Sequence, residues 1–272
     1  MSRYLSWLAP RRTRLALCAV AVAAPIAVAA SVPLPYTVLT PGISVNTLGS
    51  YQGVEVITIT GHPTRQPEGQ LRMTTIAASL PDYSPRIGEI AEAWWDPKRA
   101  IVPRNSIYPA GQSVSQVNAT NQQAMNDSQQ AATTAALGYL GIPASQVTVQ
   151  LKLADVGGPS AGLMFTLGII DELSGNGSGK PGAAGDLTNG KVVAGTGEIS
   201  DNGDVGAVGG VALKTQAAAA DGATVFLVPR SECSDAEVNT PKGLRLVPVD
   251  TLDQAVKALS ALQTGAADVP HC

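Results

Sequence analysis

The chain has 272 residues, 44% hydrophobic and 14% charged, with a formal net charge of −3. That is enough apolar material for one sizeable domain or two small ones. With no basic run beyond the extreme N-terminus, nucleic acid is excluded as an expected partner. The 28 Gly and 19 Pro follow no period, which excludes collagen-like and solenoid architectures.

The N-terminus reads as a targeting segment. Arg3, Arg11, Arg12 and Arg14 precede a nearly uncharged apolar run from Leu15 to Pro35. At about 20 residues the run is long enough to span a bilayer as a helix. Residues 1–14 then form a cytoplasmic N-terminus and 15–35 a transmembrane signal anchor. The rest of the chain is expected outside the cytoplasm, tethered to the cell membrane by one pass. A cleavable signal peptide competes, because Ala27-Val28-Ala29 offers a small-x-small cleavage site. The run exceeds a usual signal core of about 7–15 residues. Beyond it stand only Cys233 and Cys272, and an even pair in an exported chain points to a disulfide. Two free thiols are the alternative.

Residues 36–76 read as short strands, punctuated at Pro41-Gly42 and at Gly61-His62-Pro63. Ile87, Ile90, Ala91 and Trp94 lie at helical spacing and Pro97 stops that helix. A loop with a short extended piece covers 100–117. A helix is expected over 119–140, closed by Gly141 and Pro143. Val147, Val149, Leu151 and Leu153 alternate with polar residues as a strand. From Ser160 to Leu173 the chain reads as a buried apolar helix, and 174–190 as a loop. Asp201-Asn202-Gly203-Asp204 signals a hairpin between 192–199 and 205–208. Further expectations are a helix over 211–220, strands at 224–228 and 244–249, and a last helix starting at Thr251, with Gln254 placed for a capping box. The mixture argues for an α+β fold.

Few residues can carry chemistry. His62 and His271 are the two histidines, and neither has a second ligand at metal spacing, so no metal or cofactor is expected. For the same reason a Ser-His-Asp triad is disfavoured. Ser160 follows Gly157-Gly158-Pro159 and precedes Ala161-Gly162, between a strand and a buried helix. Glycines there let a substrate backbone approach, and a helix N-terminus favours a developing oxyanion. The plain alternative is a Gly-rich helix start in which Ser160 is merely helical. A serine nucleophile needs a base, and a lysine serves when burial disfavours its ammonium. Lys214, flanked by Gly209 to Leu213 and by Ala217 to Ala220, is the candidate. Its plain alternative is a lysine that snorkels to solvent.

Taken together, Gly158-Pro159-Ser160-Ala161-Gly162, Thr196-Gly197-Glu198-Ile199 and Val208-Gly209-Gly210-Val211-Ala212-Leu213-Lys214 resemble the proteolytic domain of Lon proteases. The resemblance implies Ser160 as nucleophile and Lys214 as general base. Thr196 would hold the amine, with Gly158 and Ala161 as supporting residues. More closely, the chain resembles the membrane-anchored, PDZ-linked branch of bacterial Lon-like proteases. Tyr36 to Gly42, Trp94-Trp95-Asp96-Pro97 and Met125-Asn126-Asp127-Ser128-Gln129 carry that likeness. Only a few residues separate Ile142 from Val147, so no PDZ domain fits near 141–146, and no ATPase domain is present. The role of Asp155 stays open. A single proteolytic domain over 36–262 with a tail over 263–272 is expected. It would be an ATP-independent serine endopeptidase cleaving exported or membrane-proximal polypeptides. A membrane-tethered binding module on the same fold is the alternative. Assembly into a homo-oligomeric ring is what the family analogy adds.

Overall fold

The computed structural model describes residues 11–154, 156–266 and 269–272; Arg3 and Asp155 lie outside the described residues. Helix α1 spans Arg11–Ser31, and strands β1 (Tyr36–Asn46), β2 (Ser50–Tyr51), β3 (Val54–Glu55), β4 (Ile57–Thr60) and β5 (Gln70–Ala78) follow. Helix α2 (Ile87–Trp95), strand β6 (Ala100–Pro103) and helix α3 (Arg104–Ile107) lead to the long α4 (Val114–Leu140). Next come β7 (Thr148–Leu151), α5 (Gly162–Leu173), β8 (Val192–Gly195), β9 (Glu198–Ile199), β10 (Val205–Gly206) and α6 (Val211–Ala220). The chain closes with β11 (Val225–Pro229), α7 (Cys233–Glu237), β12 (Arg245–Val249) and α8 (Leu252–Thr264).

Six strands form one sheet in the order β12-β11-β8-β5-β1-β6. Its β5-β8-β11-β12 part is parallel, and β1 pairs antiparallel with both β5 and β6. Because β5 lies beside β8, residues from both ends of the chain share one sheet in a single α+β unit. The sequence pattern predicts a break at Pro41-Gly42, but β1 runs through it. The pair falls at a register irregularity between Pro41 and Ser44, where a missing N–H is tolerated. The expected 147–153 strand is β7, paired not with the large sheet but with β4.

Helix α5 is the centre of the core. Leu163, Met164, Phe165, Leu167, Ile169 and Ile170 are all at most 1% exposed. An apolar pattern on every side of a helix is what full burial requires. Each such side chain contributes about 1.5–3 kcal/mol of transfer free energy. Helix α4 packs against α5 through small residues, Ala132, Ala135 and Ala136, all buried. It starts earlier than its apolar spacing predicts because Ser113 and Gln116 form a capping box, a device of about 0.5–2 kcal/mol.

The expected transmembrane anchor is corrected. Among the described residues, no helix is long and apolar enough to cross a membrane. Helix α1 ends at Ser31 rather than Pro35, opens with Arg11, Arg12 and Arg14, and carries Pro25 inside it. Its apolar part, from Leu15 to Ala30, rises roughly 24 Å, short of a ~30 Å hydrocarbon core. The single-pass topology, the membrane as a partner and the extracytoplasmic placement rested on that span and go with it, and the likeness to a membrane-anchored branch loses the anchor that defines it.

Candidate active site

Strand β8 delivers the first part of the site. Just past its end, the Thr196 N–H donates to the Leu227 carbonyl (3.0 Å), so the parallel pairing with β11 continues one residue further. This holds Thr196 at 0% exposure. The Thr196 hydroxyl donates to the Ser160 backbone carbonyl (3.1 Å), and the Gly197 N–H donates to the same oxygen (3.0 Å). In return the Leu163 N–H donates to the Gly197 carbonyl (3.1 Å). The start of α5 is thus strapped to the end of β8. A Cβ on Gly197 would lie 2.9 Å from Val205 Cγ1, so glycine is what allows this close approach.

The second support comes from α4. Ser128 Oγ donates to the Pro159 carbonyl (2.9 Å), and the Gly158 N–H donates to the Asn121 carbonyl (2.8 Å). Gly158 takes a φ of 93°, in the region where glycine carries no Cβ penalty. Ser160 itself is half-buried in a turn, and Ala161 is the N-cap of α5. Ser160 therefore sits at the positive end of a buried helix.

Lys214 arrives from α6, whose N-cap Gly210 has a left-handed φ of 70°. The side chain is 3% exposed and its amine donates to Thr196 Oγ1 (3.0 Å). Burial pushes the amine down to about 8, while the Glu232 and Glu198 carboxylates pull it partly back up. Among the described residues, the hydrogen bond this amine makes is to Thr196 and not to the Ser160 hydroxyl. Thr196 is the link: amine to hydroxyl, hydroxyl to the Ser160 backbone. A cavity of about 600 Å³ is lined by Gly42, Ile43, Tyr51, Ile76 and Gly157 among others; Gly157 is three residues before Ser160, and Ser160, Thr196 and Lys214 do not line it.

Residues 145–262 match the Lon protease (S16) C-terminal proteolytic domain. The matched stretch holds Ser160, Thr196 and Lys214, and residues before 145 lie outside it. At the level of that family the match supports a protease-type, hydrolytic role for the chain.

The other predicted residues are placed as follows. Cys233 and Cys272 are bonded, with Cα atoms 5.3 Å apart. His62 Nδ1 lies 2.9 Å from the Pro63 carbonyl in its own turn, and His271 is exposed. Among the described residues, no group of three or more His, Cys, Asp or Glu gathers to hold a metal. Two site elements escaped the sequence reading. Glu232 is buried with its carboxylate on the Val208 N–H ahead of α6, with no local pattern to mark it. Asn121 braces the Ser160 loop through its backbone, which no side-chain pattern reports.

Proposed function

We propose that the chain is a serine endopeptidase working through a Ser160–Lys214 dyad on flexible polypeptide segments. The observation that carries this reading is the buried Lys214 amine, linked through Thr196 to the backbone of Ser160. A lysine held near neutrality by burial is suited to general-base work close to physiological pH.

The Ser160 hydroxyl swings onto the amine and attacks a peptide carbonyl. Its proton passes to Lys214 as the Oγ–C bond forms. Backbone N–H groups of Ser160 and Ala161, at the helix start, stabilise the oxyanion. The tetrahedral adduct collapses, the C–N bond breaks, and the Lys214 ammonium returns its proton to the departing amine. Water, deprotonated by the same lysine, then releases the acyl group as a carboxylic acid and restores Ser160. In this reading substrate residues bind in the cavity between β1, β5 and Gly157, three residues before Ser160.

The test compares labelling by a serine-reactive phosphonate probe and hydrolysis of an unfolded peptide in wild type, Ser160→Ala and Lys214→Arg. Loss of both signals in both variants is the expected result, since a guanidinium cannot act as a base near neutral pH. Hydrolysis that survives in Ser160→Ala overturns the reading.

A further inference from the structure

One buried charge beside the site has no part in the chemistry above. Glu232 is 9% exposed and closes the short 3-10 turn Arg230–Glu232 that follows β11. Its Oε2 accepts the Val208 N–H (2.9 Å). Val208 leads through Gly209 into Gly210, the N-cap of α6, and Lys214 is the fourth residue of that helix. On its other side Glu232 abuts Cys233, the first residue of α7, which is bonded to Cys272. Both cysteines pack against the cluster that holds Val211 and Ala218 of α6. The carboxylate is thus fixed between the entry of α6 and a covalently tied turn.

Anchoring Val208 alone does not require a charge. A neutral amide would accept the same N–H without the desolvation cost of a buried carboxylate. Glu232 and Glu198 of β9 are the carboxylates whose charge opposes the lowering of the Lys214 amine by burial, and neither forms an ion pair with it within 4.0 Å. The charged groups that act on Glu232 are Lys214, Asp235 of α7 and Glu198. Glu198 is exposed, so solvent screens it, whereas Glu232 acts through the protein interior.

We propose that Glu232 is a positioning residue of the dyad: it fixes the entry of α6 and stabilises the Lys214 ammonium that forms when Ser160 gives up its proton. The inference rests on the dyad reading above. It assigns the buried carboxylate to the ammonium form of Lys214, the form the amine takes when it accepts the Ser160 proton.

The experiment uses the full chain with Glu232→Gln, which keeps the acceptor and drops the charge, Glu232→Ala, which drops both, and Glu232→Asp as the rescue. Lys214 titration is followed by NMR of carbon-labelled lysine in a Ser160→Ala background, and kcat and KM are followed against pH in the Ser160 form. In Glu232→Gln the Lys214 titration and the acid limb of kcat/KM should both move to lower pH, with kcat reduced and KM unchanged. Glu232→Asp should restore part of the shift. Glu232→Ala should lower kcat further, by roughly ten- to a hundredfold, through misplacement of α6. A Glu232→Gln protein whose titration and pH profile superimpose on the parent's, with only Tm altered, overturns the proposal. Absence of Ser160-dependent hydrolysis in the parent chain would instead bring down the dyad. The NMR arm would still judge Glu232 alone, and an unmoved titration there is fatal to it.

Discussion

Two buried ionisable groups, Lys214 on α6 and Asp171 on α5, have been pushed toward neutrality from opposite ends of the pH scale. Lys214 is 3% exposed and Asp171 is 0% exposed. Burial is the first cause in each case, taking the amine down to about 8 and the carboxyl up to about 7. Their neighbours differ. The Lys214 amine passes its hydrogen bond to Thr196 and so to the backbone of a half-buried serine at the start of α5. Asp171 accepts the Leu187 N–H through Oδ1 (2.8 Å), and its Oδ2 has no partner among the described residues. It faces the 174–190 loop, which Arg65 pins by pairing with Asp186 at 3.0 Å. Burial alone shifts a pKa. What marks a reactive group is a shifted pKa together with a nucleophile and an approach for substrate.

The largest effect should separate the two regions outright. Lys214→Arg or Ser160→Ala should reduce peptide hydrolysis by about a thousandfold or more, whereas Asp171→Asn should leave kcat within roughly threefold. Equal losses in the two regions, measured on one peptide, would remove the distinction. Thr196→Val comes next. It keeps the shape but leaves the Lys214 amine without its partner, a cost of about 1–3 kcal/mol for a buried group, while the Ser160 carbonyl keeps the Gly197 N–H. Turnover should fall by roughly ten- to a hundredfold.

Stability against pH sharpens the same contrast. Between about pH 4 and pH 7 the folded chain holds a proton on Asp171 that the unfolded chain has lost, so stability falls as pH rises through that window. Between about pH 8 and the ordinary lysine value of 10.5, the folded chain has lost a proton from Lys214 that the unfolded chain keeps, so stability rises again. Each limb is worth on the order of 2–4 kcal/mol. Denaturant unfolding across this range should therefore show a minimum between about pH 7 and pH 8. Asp171→Asn should flatten the falling limb, apart from a remainder due to Glu172, whose carboxyl burial also pushes up to about 7. Lys214→Met should remove the rising limb. A curve with neither limb would show that the two groups titrate alike in folded and unfolded chains.

The smallest effect is the control. Arg230 pairs with Asp250 at 2.7 Å, two residues from Glu232, but both side chains are close to half exposed. Arg230→Ala should cost about 0–1 kcal/mol and leave the pH profile of hydrolysis where it was. A shift as large as that from Glu232→Gln would mean that exposed charges reach the amine as well as buried ones do.

How much of this was legible beforehand depended on the range of the forces involved. Helix α6 and strands β11 and β12 lie where their apolar spacing puts them, because that spacing is a local record of burial. The last helix has Thr251 as its N-cap, and the Thr251 hydroxyl accepts the Gln254 N–H at 3.3 Å. The Gln254 side chain, however, turns to the Asp250 N–H (2.8 Å) rather than closing the box on Thr251. The anchor expected at the N-terminus failed on the point where α1 stops, and helix ends are among the features that composition reports least well.

The sequence by itself determined which residues could be apolar core and which serine and lysine stood in Gly-led, helix-starting contexts. Those properties are carried by neighbours a few positions apart, and α5 is buried because nearly all of its residues ask to be. The resemblance had already named Thr196 as the group that holds the Lys214 amine; only the tertiary structure decided that the same hydroxyl would donate to the Ser160 carbonyl, 36 residues away. It also decided that Glu232 would hold the Val208 N–H ahead of α6 and that Asp171 would be buried against Leu187 in the 174–190 loop. A hydrogen bond between distant segments depends on sheet order and helix packing. These arise from the sum of many small burial terms across the whole chain, and no local pattern of residue types encodes them.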